Sequence, residues 1–310
     1  MTFKNRLALI IPTRNRPETL IKLLKTIKNQ TVPPHQVIIV DGSDIPIESQ
    51  IKKYLNLSDK YIHVLNPSLT KQKNEGIKQL QEGITLAGFL DDDIELEESA
   101  VREMLRFWED TPPNTGGVSF NIINTGELNR FSKLIRRIFC IHNGTRGRVL
   151  PSGCCTGAVP ATSDVYCQWL CGGATVWKRG VLEKYKFDEW YSGWACYEDV
   201  EYSYRVLKDH HDLYVAHKAG VTHNPPPVLN AKNAAFGKML VINRYHFVKK
   251  NPNLSIMCFY WATLGDIILN VLKSVWERNF DGIRIAQGNL SGIYYILSGN
   301  PVRVDECFRK

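Results

Sequence analysis

The 310-residue sequence predicts an α/β fold, a mostly parallel sheet flanked by helices, with a helical C-terminal appendage. Three observations predict it. Short apolar runs alternate with amphipathic stretches over the first hundred residues, as in strand–helix–strand units. One run, Ile84 to Leu90, drives into three consecutive carboxylates, Asp91, Asp92 and Asp93. From Asn224 onward the pattern changes to long apolar and basic stretches, with 11 Lys+Arg against 5 Asp+Glu.

Leu7 to Ile11 is a continuous apolar run and reads as a buried strand. Pro12 to Pro17 closes it, and Pro17 suits the first turn of a helix whose apolar face is Leu20, Leu23, Leu24 and Ile27. Gln36 to Val40 is a second strand, ending in Asp41-Gly42-Ser43-Asp44. A helix over Ile51 to Leu57, a strand over Ile62 to Leu65, a helix over Thr70 to Gln81 and the strand Ile84 to Leu90 follow. Alternation at this spacing predicts right-handed crossovers and a sheet covered on both faces.

Beyond the carboxylates, Ser99 to Trp108 reads as a helix and Val118 to Ile123 as a strand. Arg130 to Ile141 is basic and amphipathic; a surface helix packed on the domain is preferred over one lying on anionic lipid. Order returns over Tyr166 to Lys178, where Gly172 and Gly173 would let the backbone pass close to a substrate. Trp194 to Leu207 begins as an acidic helix, Leu213 to Ala216 is a strand, and Pro225-Pro226-Pro227 ends the regular domain. The expected division is therefore 1–224 and 225–310. In the second part Ala231 to Lys250 is a basic helix. Leu254 to Val275 is apolar but interrupted by Asp266 and Asn270, which argues against a spanning helix. It either packs on the domain, dips into one leaflet or completes a helical hairpin.

Composition excludes some classes. With 44% hydrophobic and 23% charged residues and a mean hydropathy of -0.23, the chain is neither disordered nor a multi-span membrane protein. A net charge of +8 and pI near 9.0 suit an anionic partner, a nucleotide or a lipid surface; no nucleic-acid motif accompanies them. Met1 to Leu9 leads straight into a core strand, so no signal peptide and a cytoplasmic setting are expected. The 8 cysteines include no C-x-x-C pair, and free thiols are expected in preference to a zinc site at Cys154, Cys155, Cys167 and Cys171.

Acidic groups stand at several expected strand ends: Asp41, the trio Asp91 to Asp93, and the pair Glu198 and Asp199, with His223 after the last strand. Adjacent carboxylates repel one another, and a hard divalent cation removes that cost by taking oxygen ligands and bridging to phosphate. A second carboxylate can take the proton from an attacking hydroxyl. Phosphoryl transfer and glycosyl transfer both satisfy this outline. A solvated acidic helix start is the plainer reading of each acidic group.

Six segments together resemble an inverting glycosyltransferase of family 2 with the GT-A fold. They are Ile10 to Arg16, Val40 to Asp44, Lys73 to Ile77, Phe89 to Asp93, Gly172-Gly173-Ala174 and Glu198-Asp199, in the family's order from about Leu7 to His223. The tail, with Asn243 to Phe247, is similar to rhamnosyltransferase-like members. The resemblance implies a UDP-, dTDP- or GDP-linked sugar donor and a saccharide or lipid-linked acceptor, with an anionic membrane surface as a further partner. Pro12, Thr13 and Arg14 would line the nucleotide pocket and Asp41 would accept hydrogen bonds from the base. Lys73 and Asn74 would lie near ribose and phosphate. Asp91 would contact the ribose, with Asp92 assisting. Asp93 and His223 would hold Mn2+ or Mg2+. Asp199 would be the base, with Glu198 beside it, and Gly172 and Gly173 would face the sugar and acceptor. A nucleotidyltransferase would want a glycine-rich loop after the first strand, and Ile11 to Pro17 has no glycine. A non-catalytic glycan- or lipid-binding protein on the same scaffold would not need Asp93, Asp199 and His223.

Overall fold

In the computed structural model, residues 3–126, 128, 130–225 and 233–299 are described. The chain forms two compact units. The first comprises Met1–Gly126, Ala158–Glu189 and Glu198–Pro225. The second comprises Glu127–Gly157, Trp190–Tyr197 and Pro226–Lys310. Two inner segments thus join the tail, where the sequence suggests one cut at 224; the residues just past that cut, Pro226 and Pro227 among them, lie outside the described residues.

The first unit opens with β1 (Leu7–Thr13), α1 (Pro17–Lys28), β2 (Gln36–Asp41) and a short α2 (Glu48–Ile51). β3 (Lys60–His63), α3 (Leu69–Ile77), β4 (Leu86–Leu90), β5 (Ile94–Leu96), α4 (Ala100–Asp110) and β6 (Thr115–Ile122) follow. After the second unit's α5 (Arg130–Ile138) come β7 (Val165–Cys167), β8 (Ala174–Lys178), α6 (Arg179–Lys184), α7 (Glu198–Lys208) and β9 (Asp212–His223). The second unit closes the chain with α8 (Asn233–Lys250), α9 (Ile256–Glu277) and α10 (Asp281–Leu297).

β1, β2 and β4 are buried along their whole length, which is why they read as unbroken apolar runs. α1 lays Leu20, Leu23, Leu24 and Ile27 against them. Each such side chain contributes about 1.5–3 kcal/mol of apolar burial. Ser68 caps α3 by accepting from the Lys71 amide. α3 lies so close to β1 that a Cβ on Gly76 would overlap Ile10. The helix expected over Ile51 to Leu57 is instead one turn of α-helix and one 3-10 turn, because only Ile51 there is buried.

The nine-stranded sheet has the order β3-β2-β1-β4-β8-β6-β9-β5, with β7 on β9. From β3 to β4 all pairs are parallel, as the alternation predicts. Beyond β4 the pairing is mixed. β8 runs antiparallel to both β4 and β6, and β5 and β7 run antiparallel to β9. The sequence pattern does not predict β5 or most of β9, yet their pairing sets where His223 lies.

Among the described residues, the second unit is helical. Its buried centre is Arg244 on α8, which donates to Asp266 Oδ2 at 2.8 Å, Thr263 Oγ1 at 2.7 Å and Cys154 Sγ at 2.9 Å. The carboxylate that interrupts the apolar stretch therefore has a buried partner. His246 stacks on Trp190 with centroids 3.6 Å apart.

Candidate active site

The site is assembled by two antiparallel pairings. β4 runs beside β8 with Leu90 opposite Ala174, so the residue after β4 meets the residue before β8. The Asp91 amide donates to the Gly173 carbonyl at 2.9 Å, and the Asp91 carboxylate lies where a Cβ on Gly173 would stand. β5 pairs with β9 so that Ile94 faces His223, one residue after Asp93. His223 Nε2 consequently lies 3.1 Å from Asp93 Oδ1.

Asp91, Asp93 and His223 each offer one ligand atom, and those atoms lie within 4.8 Å of one another. No other such group of three or more occurs among the described residues, and the four cysteines weighed for zinc form none. The donors suit a divalent cation: two hard carboxylates and an imidazole. Asp93 Oδ1 is buried, with His223 Nε2 3.1 Å away as its near polar neighbour. A cation would satisfy that oxygen. Asp91, expected at the ribose, stands in the same cluster as Asp93 and His223. Burial raises its carboxyl above the usual range, with the Lys73 ammonium opposing. Burial also raises Asp93, but the His223 imidazole and Arg16 outweigh it and hold the group below the usual range.

Asp92 turns the other way. It accepts from Thr13 Oγ1 at 2.7 Å and from Arg16 Nη1 at 2.8 Å; the same Arg16 nitrogen is 3.2 Å from Asp93 Oδ2. Arg16 has no role in the sequence reading, although it sits in the segment that closes the first strand. Its partly exposed guanidinium offsets the charge of two carboxylates. Pro12 is buried at the end of β1, while Arg14 is exposed and pairs with Asp44.

Asp199 and Glu198 open α7. Asp199 Oδ2 accepts from the Gly172 amide at 3.0 Å and Oδ1 from the Val200 amide at 2.8 Å. Asp199 and Asp91 therefore rest on adjacent residues, Gly172 and Gly173, and the two carboxylates converge. The glycines make room for the chain's own acids: a Cβ on Gly172 would stand 2.7 Å from Glu198 Oε1.

Three residues expected at the ligand have partners inside the protein. Lys73, assigned to the ribose and phosphate, is 1% exposed. Its Nζ donates to Glu198 Oε1 at 2.7 Å and to the Gly172 carbonyl at 3.0 Å. Asn74 donates to the Phe187 carbonyl and to Glu189 Oε1, and accepts from the Phe187 amide, so it pins the segment before α7. Asp41, assigned to the base, is 0% exposed and accepts from the Ser43 and Ile47 amides and from Tyr61 Oη. All three side chains are buried. Glu198 is buried too; burial pushes its carboxyl up to about 7 despite Lys73, and its Oε2 has no partner.

Residues 8–159 match the family model described as glycosyl transferase family 2. That match stops short of Gly172, Asp199 and His223. Among solved structures, the fold is similar to GalNAc-T7 with UDP, GalNAc and Mn2+, at 14% identity and a TM-score of 0.59 over 79% of this chain. The chain spans 48% of that protein, about half its length. It is also similar to a mannosyltransferase, PcManGT from Pyrobaculum calidifontis, in complex with GDP-Man and Mn2+. Identity is 12% and the TM-score 0.62, over 97% of this chain and 89% of that one. No curated protein sequence matches. The fold is GT-A, as the six segments imply.

Proposed function

We propose that the chain, whose residues 8–159 match the model described as glycosyl transferase family 2, is a member of that family and moves a sugar from a nucleotide-diphosphate donor to a hydroxyl of a saccharide or lipid-linked saccharide, inverting the anomeric carbon. The observation that carries the reading is that Asp91 groups with Asp93 and His223 and rests on Gly173, next to the Gly172 amide that holds Asp199.

Asp91, Asp93 and His223 would hold Mn2+ or Mg2+. When bound there, the cation neutralises charge on the departing diphosphate. Mn2+ in both solved relatives supports the choice. Pro12 and Thr13, which end β1, and Arg14 just after it line the nucleotide side, while Asp41 shapes the loop beside them. Asp92, fixed by Thr13 and Arg16, sets the direction of its two neighbours. On the acceptor side, Asp199 takes the hydroxyl proton on a carboxylate oxygen. The acceptor oxygen bonds to the anomeric carbon as the carbon–oxygen bond to the diphosphate breaks, and the electron pair leaves with the nucleotide. Glu198 and Lys73 position the base: Lys73 grips the carbonyl of the same Gly172 whose amide holds Asp199. Fixed placement of the two substrates supplies much of the rate. A cytoplasmic role in polysaccharide or glycan synthesis fits such a donor.

Asp199→Asn tests the assignment. The variant keeps metal-dependent donor binding, read as a thermal shift across a panel of nucleotide sugars. Its turnover falls by roughly 10²–10⁴-fold, the usual loss on removing a general base. Turnover within a few-fold of wild type would remove Asp199 as the base.

A further inference from the structure

The second unit carries an apolar face that its own fold leaves open. α5 has no buried residue and exposes Phe131, Leu134 and Ile138, with Phe131 71% exposed. α9 exposes Met257, Trp261, Leu264, Ile268, Leu272 and Val275, a single stripe at helical spacing. At its end Trp276 is 89% exposed. The two helices are joined: Trp261 Nε1 donates to the Ile138 carbonyl at 2.7 Å, and the Phe139 and Trp261 rings lie 5.2 Å apart. The opposite side of α9 is occupied, with Phe259, Ala262 and Thr263 buried and Asp266 paired to Arg244.

Charge separates between the units. The second unit has 17 Lys+Arg and 6 Asp+Glu, a formal +11, while the first has 22 against 25, a formal -3. The basic excess of the whole protein thus belongs to the unit with the open apolar face. α5 itself holds Arg130, Lys133, Arg136 and Arg137 and no acid. We infer that α5 and the outer stripe of α9 dock on an anionic lipid bilayer, with α9 lying along the interface. Apolar residues enter the headgroup boundary and the basic side chains meet lipid phosphates. α9 is, among the described residues, the one helix long and apolar enough to cross a membrane. Spanning would carry the Arg244–Asp266 pair into hydrocarbon, which is costly, whereas an interfacial helix leaves that pair inside the unit. α5, expected as a surface helix packed on its domain, leaves Phe131, Leu134 and Ile138 exposed.

Vesicle flotation of the full chain tests this without reference to turnover, so the result is independent of the proposed reaction. Wild type floats with phosphatidylglycerol-containing vesicles, floats poorly with pure phosphatidylcholine, and is released by high salt. Arg130→Glu with Lys133→Glu, and separately Leu272→Ser with Val275→Ser, each lower partition on the order of tenfold. These side chains are exposed or half-buried, so melting temperature stays near wild type. Absence of binding to anionic vesicles, or equal binding to both lipids, overturns the inference. So does preferential binding of an oligonucleotide duplex, or a solution dimer that the serine variants dissolve and vesicles ignore.

Discussion

Asp41 closes β2 in the parallel half of the sheet, and its own loop seals it: two amides and a tyrosine hydroxyl take both oxygens, and no part is exposed. Asp93 follows β4, where the mixed half begins. One of its oxygens is buried without an aligned donor, beside an imidazole and a second carboxylate. Topology accounts for the difference. A parallel strand leads into its own crossover, whose amides are at hand to satisfy a terminal acid. Antiparallel partners bring the ends of remote segments together, so acids from separate places meet with few local donors. The parallel half therefore satisfies its terminal acid locally, and the mixed half leaves a buried carboxylate oxygen open.

Substitutions on either side sharpen that contrast. The largest effect is expected at the buried pair supporting the mixed half. Lys73→Met leaves Glu198 buried and uncompensated, and urea unfolding should show a loss of about 3–5 kcal/mol. Stability within about 1 kcal/mol of wild type would mean that Glu198 takes up a proton once Lys73 is gone, so that no charge is left buried. Next, His223→Gln should raise the Mn2+ concentration for half-maximal activity by about 10–100-fold with little change in melting temperature, since even outer partners of metal ligands carry that much affinity. An unchanged Mn2+ requirement would remove His223 from the metal group. The smallest effect belongs to the parallel half. Asp41→Asn turns an amide donor toward existing donors and should cost roughly 1–3 kcal/mol in unfolding free energy. The Mn2+ requirement should stay at the wild-type value; a shift there would mean Asp41 reaches the site after all.

The same contrast explains how much the residues reveal by themselves. Strands buried on both faces read as continuous Val, Ile and Leu runs, so β1, β2 and β4 are legible, and the three carboxylates after Leu90 mark the site. β5 is only Ile94-Glu95-Leu96, too short to carry a period. The later part of β9 includes His217 and Lys218, which hide a strand from a hydrophobic pattern. Without those two elements nothing in the sequence brings His223 to Asp93. α10 is hidden because glycines lower its intrinsic helicity. They are there because it packs closely on α8: a Cβ on Gly288 would overlap the Ala234 carbonyl. Lys73, Asn74 and Asp41 stand out as important positions, but pattern alone does not distinguish a side chain that touches ligand from one that holds the wall behind it.

The central claim is that carboxylates from separate segments form one cation-dependent donor site. Calorimetric titration of nucleoside diphosphates, with and without Mn2+, into wild type and Asp93→Asn reads this directly. Wild type should bind at least one nucleotide tightly only when Mn2+ is present, and Asp93→Asn should bind it equally weakly in both conditions. Equal binding by wild type with and without the metal, or a metal effect that survives in Asp93→Asn, would contradict the account.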